Sequence, residues 1–190
     1  RRAAITLKKE VTTSTIELQK TNISLTKNSQ IGLFNDGGFC NFSMTDSKIA
    51  SDDHVNTLNS IRCILTQGAD NSTYTINGSK LSVGDNYHYA IWIKSPKQHF
   101  VINDSEIYGW AAFYMQGAWY SEKGADEMTL KATNSSFTGV GKEGSSNGFG
   151  VIVFEATERS VVEMDNCVVT SKITDNTKDY GFIPPIVFQM

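Results

Sequence analysis

The sequence predicts an all-β solenoid in which short parallel strands stack as successive coils. Three observations predict it: a block of eight residues recurs five times, a second strand-like segment recurs between the blocks, and helical periodicity is weak throughout. Ser, Thr and Asn together supply 51 of the 190 residues, which suits many short strands and tight turns. We expect a single domain over residues 1–190, with about six or seven coils.

The recurring block reads apolar, any, apolar, any, then Asp, Asn or Gly, then Ser or Cys, any, apolar. Its five copies are Phe42–Ile49, Tyr74–Leu81, Phe100–Ile107, Leu130–Phe137 and Val162–Val169. The copies begin 26 to 32 residues apart, so loops of unequal length separate strands of constant length. In-phase recurrence of this kind favours the solenoid over an antiparallel sandwich, which remains the alternative fold.

The middle of each block predicts a turn. The turn residues are Asp46, Gly78, Asp104, Asn134 and Asn166, types that tolerate a left-handed backbone. The Ser or Cys after each of them is small enough to point inward. The last apolar positions of the five blocks should then form one buried row: Ile49, Leu81, Ile107, Phe137 and Val169.

The second segment aligns without gaps as Ile61–Thr66, Tyr89–Lys94, Ala111–Gln116, Gly150–Glu155 and Pro184–Gln189. Two of its columns are apolar in every copy and lie two residues apart, so both should face the interior. One column holds Cys63, Ile91, Phe113, Ile152 and Ile186, and the other holds Leu65, Ile93, Met115, Phe154 and Phe188.

This pattern resembles the right-handed parallel β-helix of the pectin-lyase-like superfamily, in which Asn or Ser residues line up at the bends of stacked coils. The resemblance covers about residues 40–190 and concerns architecture, because that fold carries lyases, hydrolases, tailspikes and adhesins alike. Two fainter echoes, Val11–Ile16 and Thr26–Ile31, indicate that residues 1–40 form short coils or a cap before the regular coils of 41–190.

Composition narrows the classes of function. The formal net charge is −3 and no long run of either sign occurs, which argues against a nucleic-acid partner. No stretch approaches the roughly 20 apolar residues that insert into a membrane. Neither the three cysteines (Cys40, Cys63, Cys167) nor the three histidines (His54, His88, His99) show metal-ligand spacing. We therefore expect no metal and no cofactor, and His88 at the surface.

An outward strip on the second segment is the candidate ligand-binding site. One outward column, Ile64, Trp92, Tyr114, Val153 and Val187, is apolar although it should face solvent, and the next, Thr66, Lys94, Gln116, Glu155 and Gln189, is polar. Aromatic rings stack on sugars while amides and charges bond hydroxyls, so Trp92, Tyr114, Lys94, Gln116 and Glu155 should bind an extended glycan. Alternatively, a loop within Gly117–Glu127 covers the strip.

No catalytic residue is assigned. The only dense group of acids and imidazole is Asp52-Asp53-His54, and this short run is more typical of a solvated loop than of a catalytic site. Pectin-lyase-like hydrolases usually carry a Gly-His-Gly motif, and the sequence has none. We expect a secreted or cell-surface binding or structural module, adhesin-like, from a bacterial or phage protein of which this chain is a fragment. The alternative is a polysaccharide lyase or glycoside hydrolase.

Overall fold

The computed structural model describes residues 2–26, 29–51, 61–68, 70–84, 88–117, 124–141, 150–155, 157–173 and 185–189. In chain order its strands are β1 (Ala3–Leu7), β2 (Thr13–Gln19), β3 (Asn22–Leu25), β4 (Ile31–Asn35), β5 (Phe39–Thr45), β6 (Lys48–Ser51), β7 (Arg62–Thr66), β8 (Thr73–Asn77), β9 (Lys80–Ser82), β10 (Tyr89–Ile93), β11 (His99–Asn103), β12 (Glu106–Gly109), β13 (Ala111–Gln116), β14 (Thr129–Thr133), β15 (Ser136–Gly141), β16 (Ile152–Glu155), β17 (Val161–Asp165), β18 (Val168–Ile173) and β19 (Ile186–Gln189). The described residues contain no helix.

Every third strand joins the same sheet, which is the topology of a β-solenoid. Sheet A has the order β1-β4-β7-β10-β13-β16-β19, sheet B the order β17-β14-β11-β8-β5-β2, and sheet C the order β18-β15-β12-β9-β6-β3. The strand pairs within these three sheets are parallel. The predicted parallel solenoid is confirmed, and the sandwich is not favoured.

The core lies between the three sheets, and the recurring block supplies its contribution from sheets B and C. Phe42 pairs with Tyr74, Tyr74 with Phe100, Phe100 with Leu130 and Leu130 with Val162, as the block alignment predicts. Ile49, Leu81, Ile107, Phe137 and Val169 pair in the same way across sheet C. The first four members of each row are buried, while Val162 and Val169 on the edge strands are half-buried.

The corner between sheets B and C repeats in every coil. All five predicted turn residues have φ between 48° and 54°, in the left-handed region. The serine after each of the first four predicted turns points inward and bonds backbone groups on both sides: Ser105 Oγ donates to Asn103 O at 2.6 Å and accepts from Ser79 N at 3.0 Å. Ser47, Ser79 and Ser135 make the same pair of contacts, so a serine ladder runs along the inside of the corner.

A sixth copy of the block lies in the N-terminal part, where the sequence showed only faint echoes. Ile16 pairs with Phe42 and Ile23 with Ile49, so the copy is residues 16–23. Lys20 takes the turn position with φ 48°, and Thr21 N donates to Ser47 Oγ. The strands β1 to β4 therefore belong to the same three sheets as the later coils.

The sheet A alignment was wrong by one residue at β7. Ile64 pairs with Ile91, Leu65 with Trp92 and Thr66 with Ile93, so Ile64 and Thr66 take the places predicted for Cys63 and Leu65. Cys63 still packs in the inner core, as predicted, whereas Leu65 lies on the outward side of the strand. The other four copies keep the predicted register. The physical reason is that Cys63, Ile64, Leu65 and Thr66 are all fully buried. A strand buried on both faces has no polar alternation that could indicate its register.

Candidate binding site on the outer face of sheet A

The five predicted site residues lie together on the outer face of sheet A. Trp92 on β10 pairs with Tyr114 on β13, and Gln116 on β13 pairs with Glu155 on β16. Lys94 follows directly after β10, and its amide N donates to Thr66 O in the preceding coil. Stacking of adjacent coils, at roughly 4.8 Å a step, is what brings residues 60 positions apart in sequence into one patch.

A cluster of four aromatic side chains forms the centre of this patch. We call Tyr89, Trp92, Trp110 and Tyr114 the aromatic cluster. Tyr89 stacks on Tyr114 with ring centroids 5.0 Å apart, and its centroid lies 4.7 Å from that of Trp92. Trp110 meets Tyr89 edge-on at 5.5 Å. With Ala111 and Val153 these rings make a second apolar layer, separate from the core inside the solenoid.

Two hydrogen bonds hold the polar residues of the patch against the rings. The indole Nε1 of Trp92 donates to Gln116 Oε1 at 3.0 Å. The hydroxyl of Tyr114 donates to Glu155 Oε2 at 2.5 Å, the short distance expected when the acceptor is a carboxylate. Both bonds join adjacent strands, β10 to β13 and β13 to β16, so they fix the ring orientations relative to the stack.

Two cationic side chains flank the Trp92 ring. The guanidinium carbon of Arg62 lies 4.2 Å from the ring centroid, and Lys94 Nζ lies 5.1 Å from it. Both distances are within the range of a cation–π attraction. The patch therefore combines an indole, two positive charges and one carboxylate, Glu155, which accepts from a tyrosine.

Exposure divides the five residues into two groups. Tyr114, Gln116 and Glu155 are 3%, 5% and 9% exposed, whereas Trp92 and Lys94 are half-buried. The outward apolar column is thus largely covered: Leu65 and Val153 are also fully buried. Residues 118–123 lie outside the described part of the chain. They include Trp119 and Tyr120 and belong to the segment Gly117–Glu127, the alternative predicted cover of the strip.

Sequence reasoning missed three members of the patch: Arg62, Tyr89 and Trp110. Tyr89 lies two residues before the inward Ile91, so alternation predicts an inward ring, whereas the ring packs in the outer layer. The gapless alignment placed Tyr89 beside Ile61, whereas the structure pairs Tyr89 with Arg62. The same one-residue error put Ile64 and Thr66 in the outward columns. Ile64 belongs to the inner core and Thr66 is fully buried. The outward side chains along β7 are therefore Arg62, Leu65 and, directly after the strand, Gln67. Because β7 carries apolar residues on both faces, its sequence has no polar alternation that could have revealed the register error.

Other candidate residues supply no second site in the described chain. Asp52, Asp53 and His54 lie outside the described residues. His88 is not at the surface as expected: it is 4% exposed, and its Nδ1 accepts from Ile61 N at 2.9 Å. Among the described residues, no three His, Cys, Asp or Glu side chains converge as metal ligands, and no helix could cross a membrane.

The three cysteines are free thiols. Cys40 and Cys63 are buried in the core, and this burial raises the pKa of both thiols above the ordinary value. Because the thiolate is the nucleophilic form, neither is suited to covalent chemistry. Cys167 takes the ladder position of a serine in the last described coil, where its Sγ donates to Asp165 O at 3.3 Å.

No protein-family model matches this chain, and neither a curated protein nor a solved structure matches it.

Proposed function

We propose that this β-solenoid is a binding module of a secreted or cell-surface protein, and that it recognises an extended glycan or surface glycoconjugate in the manner of an adhesin. The single observation that carries the proposal is the half-buried Trp92 ring, held by Gln116 and flanked by Arg62 and Lys94. An oriented indole beside cationic donors suits the apolar face and the hydroxyls of a sugar.

The five site residues have different roles in this proposal. Trp92 and Lys94 are the residues that touch the ligand, because they keep exposed surface. Tyr114, Gln116 and Glu155 position them: Gln116 bonds the indole directly, and Tyr114 packs against it with ring centroids 5.7 Å apart. Glu155 in turn holds the Tyr114 hydroxyl. The pectin-lyase-like architecture and a bacterial or phage origin complete the proposal and rest on the repeat pattern.

A glycan array probed with the wild-type protein and with Trp92→Ala tests the proposal. We expect the variant to lose at least about fivefold in affinity for the array glycans that the wild type binds, since a ring at the centre of an interface commonly contributes more than about 1 kcal/mol. Tyr108→Ala is the matched control, because Tyr108 is a half-buried aromatic residue on sheet C. Equal binding by Trp92→Ala and the wild type, or binding to no glycan at all, would contradict the proposal.

A further inference from the structure

The middle of the outer face of sheet B differs in charge from the outer face of sheet C. On three adjacent strands, β5, β8 and β11, no outward side chain is Asp, Glu, Lys or Arg. Sheet C, by contrast, places Lys48, Lys80 and Glu106 side by side in register. A surface that serves solubility alone is typically about 25–35% charged. Three adjacent strands whose outward side chains include no Asp, Glu, Lys or Arg fall well below that fraction.

Most of the outward side chains on these three strands are hydrogen-bonding groups in a regular grid; the apolar exceptions are Val101, which pairs with Thr75, and the exposed Phe39 at the start of β5. Ser43 pairs with Thr75, and Thr45 pairs with Asn77, which pairs with Asn103. Neighbouring strands lie about 4.8 Å apart and alternate residues about 6.7 Å apart. The paired residues follow one another without interruption from Asn41 to Thr45 and from Thr73 to Asn77, so the grid carries no bulge.

Part of this grid is held in place by the protein itself. Asn103 Nδ2 donates to Asn77 Oδ1 at 3.0 Å, which orients both amides along the stack. The neighbouring strands carry one charge on each side: Glu17 on β2 pairs with Ser43, and Lys131 on β14 pairs with Val101. Lys131 forms an ion pair with Glu163 at 2.9 Å and so adds little net field. The side chains are half-buried between their neighbours, and a ligand therefore orders few freely rotating groups when it binds.

We propose that the outer face of sheet B, centred on Thr75, is a second binding surface, and that its ligand is a neutral, hydroxyl-rich linear polysaccharide lying along the stack. Hydroxyl and amide groups both donate and accept, as sugar hydroxyls do, and the absence of charge gives an acidic polymer no advantage. Two coil steps, roughly 9.6 Å, are about the length of two sugar units. This inference rests on the proposed role in glycan binding but places the ligand on a different sheet.

Retention on insoluble neutral polysaccharides tests the inference, with microcrystalline cellulose and chitin as the probes and polygalacturonate beads as the acidic comparison. We expect at least one neutral probe to retain the wild type, and retention to persist from about 0.15 M to 1 M salt because no ion pair is involved. Thr75→Lys should lower the affinity at least tenfold. Thr75→Val, which removes only the hydroxyl, should lower it about two- to tenfold.

Two control variants separate this face from the aromatic cluster. Thr138→Lys adds the same charge at a half-buried threonine of sheet C and should bind like the wild type. Trp92→Ala reports separately on the aromatic cluster: retention that is lost in Thr75→Lys but kept in Trp92→Ala places these two polymers on sheet B. Thermal unfolding of each variant shows that it is folded, and Thr75→Val keeps a β-branched residue on the strand in case Thr75→Lys does not fold.

Three results would overturn the inference: neither neutral polymer retains the wild type, Thr75→Lys binds as tightly as the wild type, or 1 M salt releases the protein. Loss of binding in Trp92→Ala with normal binding in Thr75→Lys would place the ligand on the aromatic cluster, which overturns this inference and leaves the proposed function standing. Loss only in Thr75→Lys, with a glycan array insensitive to Trp92→Ala, would support this inference and contradict the role of Trp92.

Discussion

The corner between sheets B and C and the strands of sheet A repeat in different ways. At the corner, a left-handed turn residue and an inward serine recur with nearly the same geometry, because a backbone conformation and a hydrogen bond both select the residue type. In sheet A only burial selects the residue, and β13 and β16 are buried along their whole length. A repeat is therefore easy to recognise in sequence where the backbone conformation restricts the residue type. It is hard to align where a strand has apolar residues on both faces.

The largest effect should come from the interior that both regions share. Phe113→Ala removes a fully buried ring that meets Phe100 edge-on at 5.1 Å, and we expect the free energy of unfolding to fall by about 3 to 5 kcal/mol. Denaturant unfolding measures it. Val168→Ala is the control, because Val168 is 61% exposed and should change stability by less than about 0.5 kcal/mol. Similar losses for the two variants would show that the Phe113 side chain is not inside the solenoid.

A smaller loss is expected at the serine ladder. Ser105→Ala leaves the buried amide of Ser79 without its side-chain acceptor, which should cost about 1 to 3 kcal/mol in unfolding experiments. Ser136→Ala, at a half-buried serine one residue beyond the ladder in the next coil, should cost clearly less. If both substitutions were equally mild, the ladder would not explain why serine recurs at the corner.

The sequence predicted the corner and the core of sheets B and C well, for a physical reason. Asp104 and Asn134 reveal the turn because few residue types accept a positive φ. The copy at residues 16–23 escaped notice because Lys20 and Thr21 replace the usual types, although the backbone there has the same turn. At β7, Cys63, Ile64 and Leu65 are interchangeable as apolar residues, so neither the register nor the neighbours of Trp92 could be derived from pattern.

The smallest effect concerns an exposed ion pair between equivalent positions of two copies of the recurring block. Lys131 and Glu163 pair in register, with Lys131 Nζ 2.9 Å from Glu163 Oε2 and both side chains more than half exposed. Lys131→Glu should lower stability by at most about 1 kcal/mol at low salt, and by less at high salt. The charge-swapped variant Lys131→Glu/Glu163→Lys should restore most of the loss. A gain in stability from Lys131→Glu alone at low salt would contradict the predicted stacking.

The register of sheet A at β7 is the central claim, because it decides which residues surround Trp92. Thr66 pairs with Ile93, so the next residue, Gln67, lies beside Lys94 at about 4.8 Å between Cα atoms, a distance that a disulfide can span. In a Cys167→Ser background, the pair Gln67→Cys/Lys94→Cys should oxidise to an intramolecular disulfide, detected by intact mass. The pair Thr66→Cys/Lys94→Cys should stay reduced, because the side chain of Thr66 is buried. If the Thr66 pair oxidised readily and the Gln67 pair formed no disulfide, Thr66 would lie beside Lys94, as in the gapless alignment. That result would contradict the one-residue shift at β7.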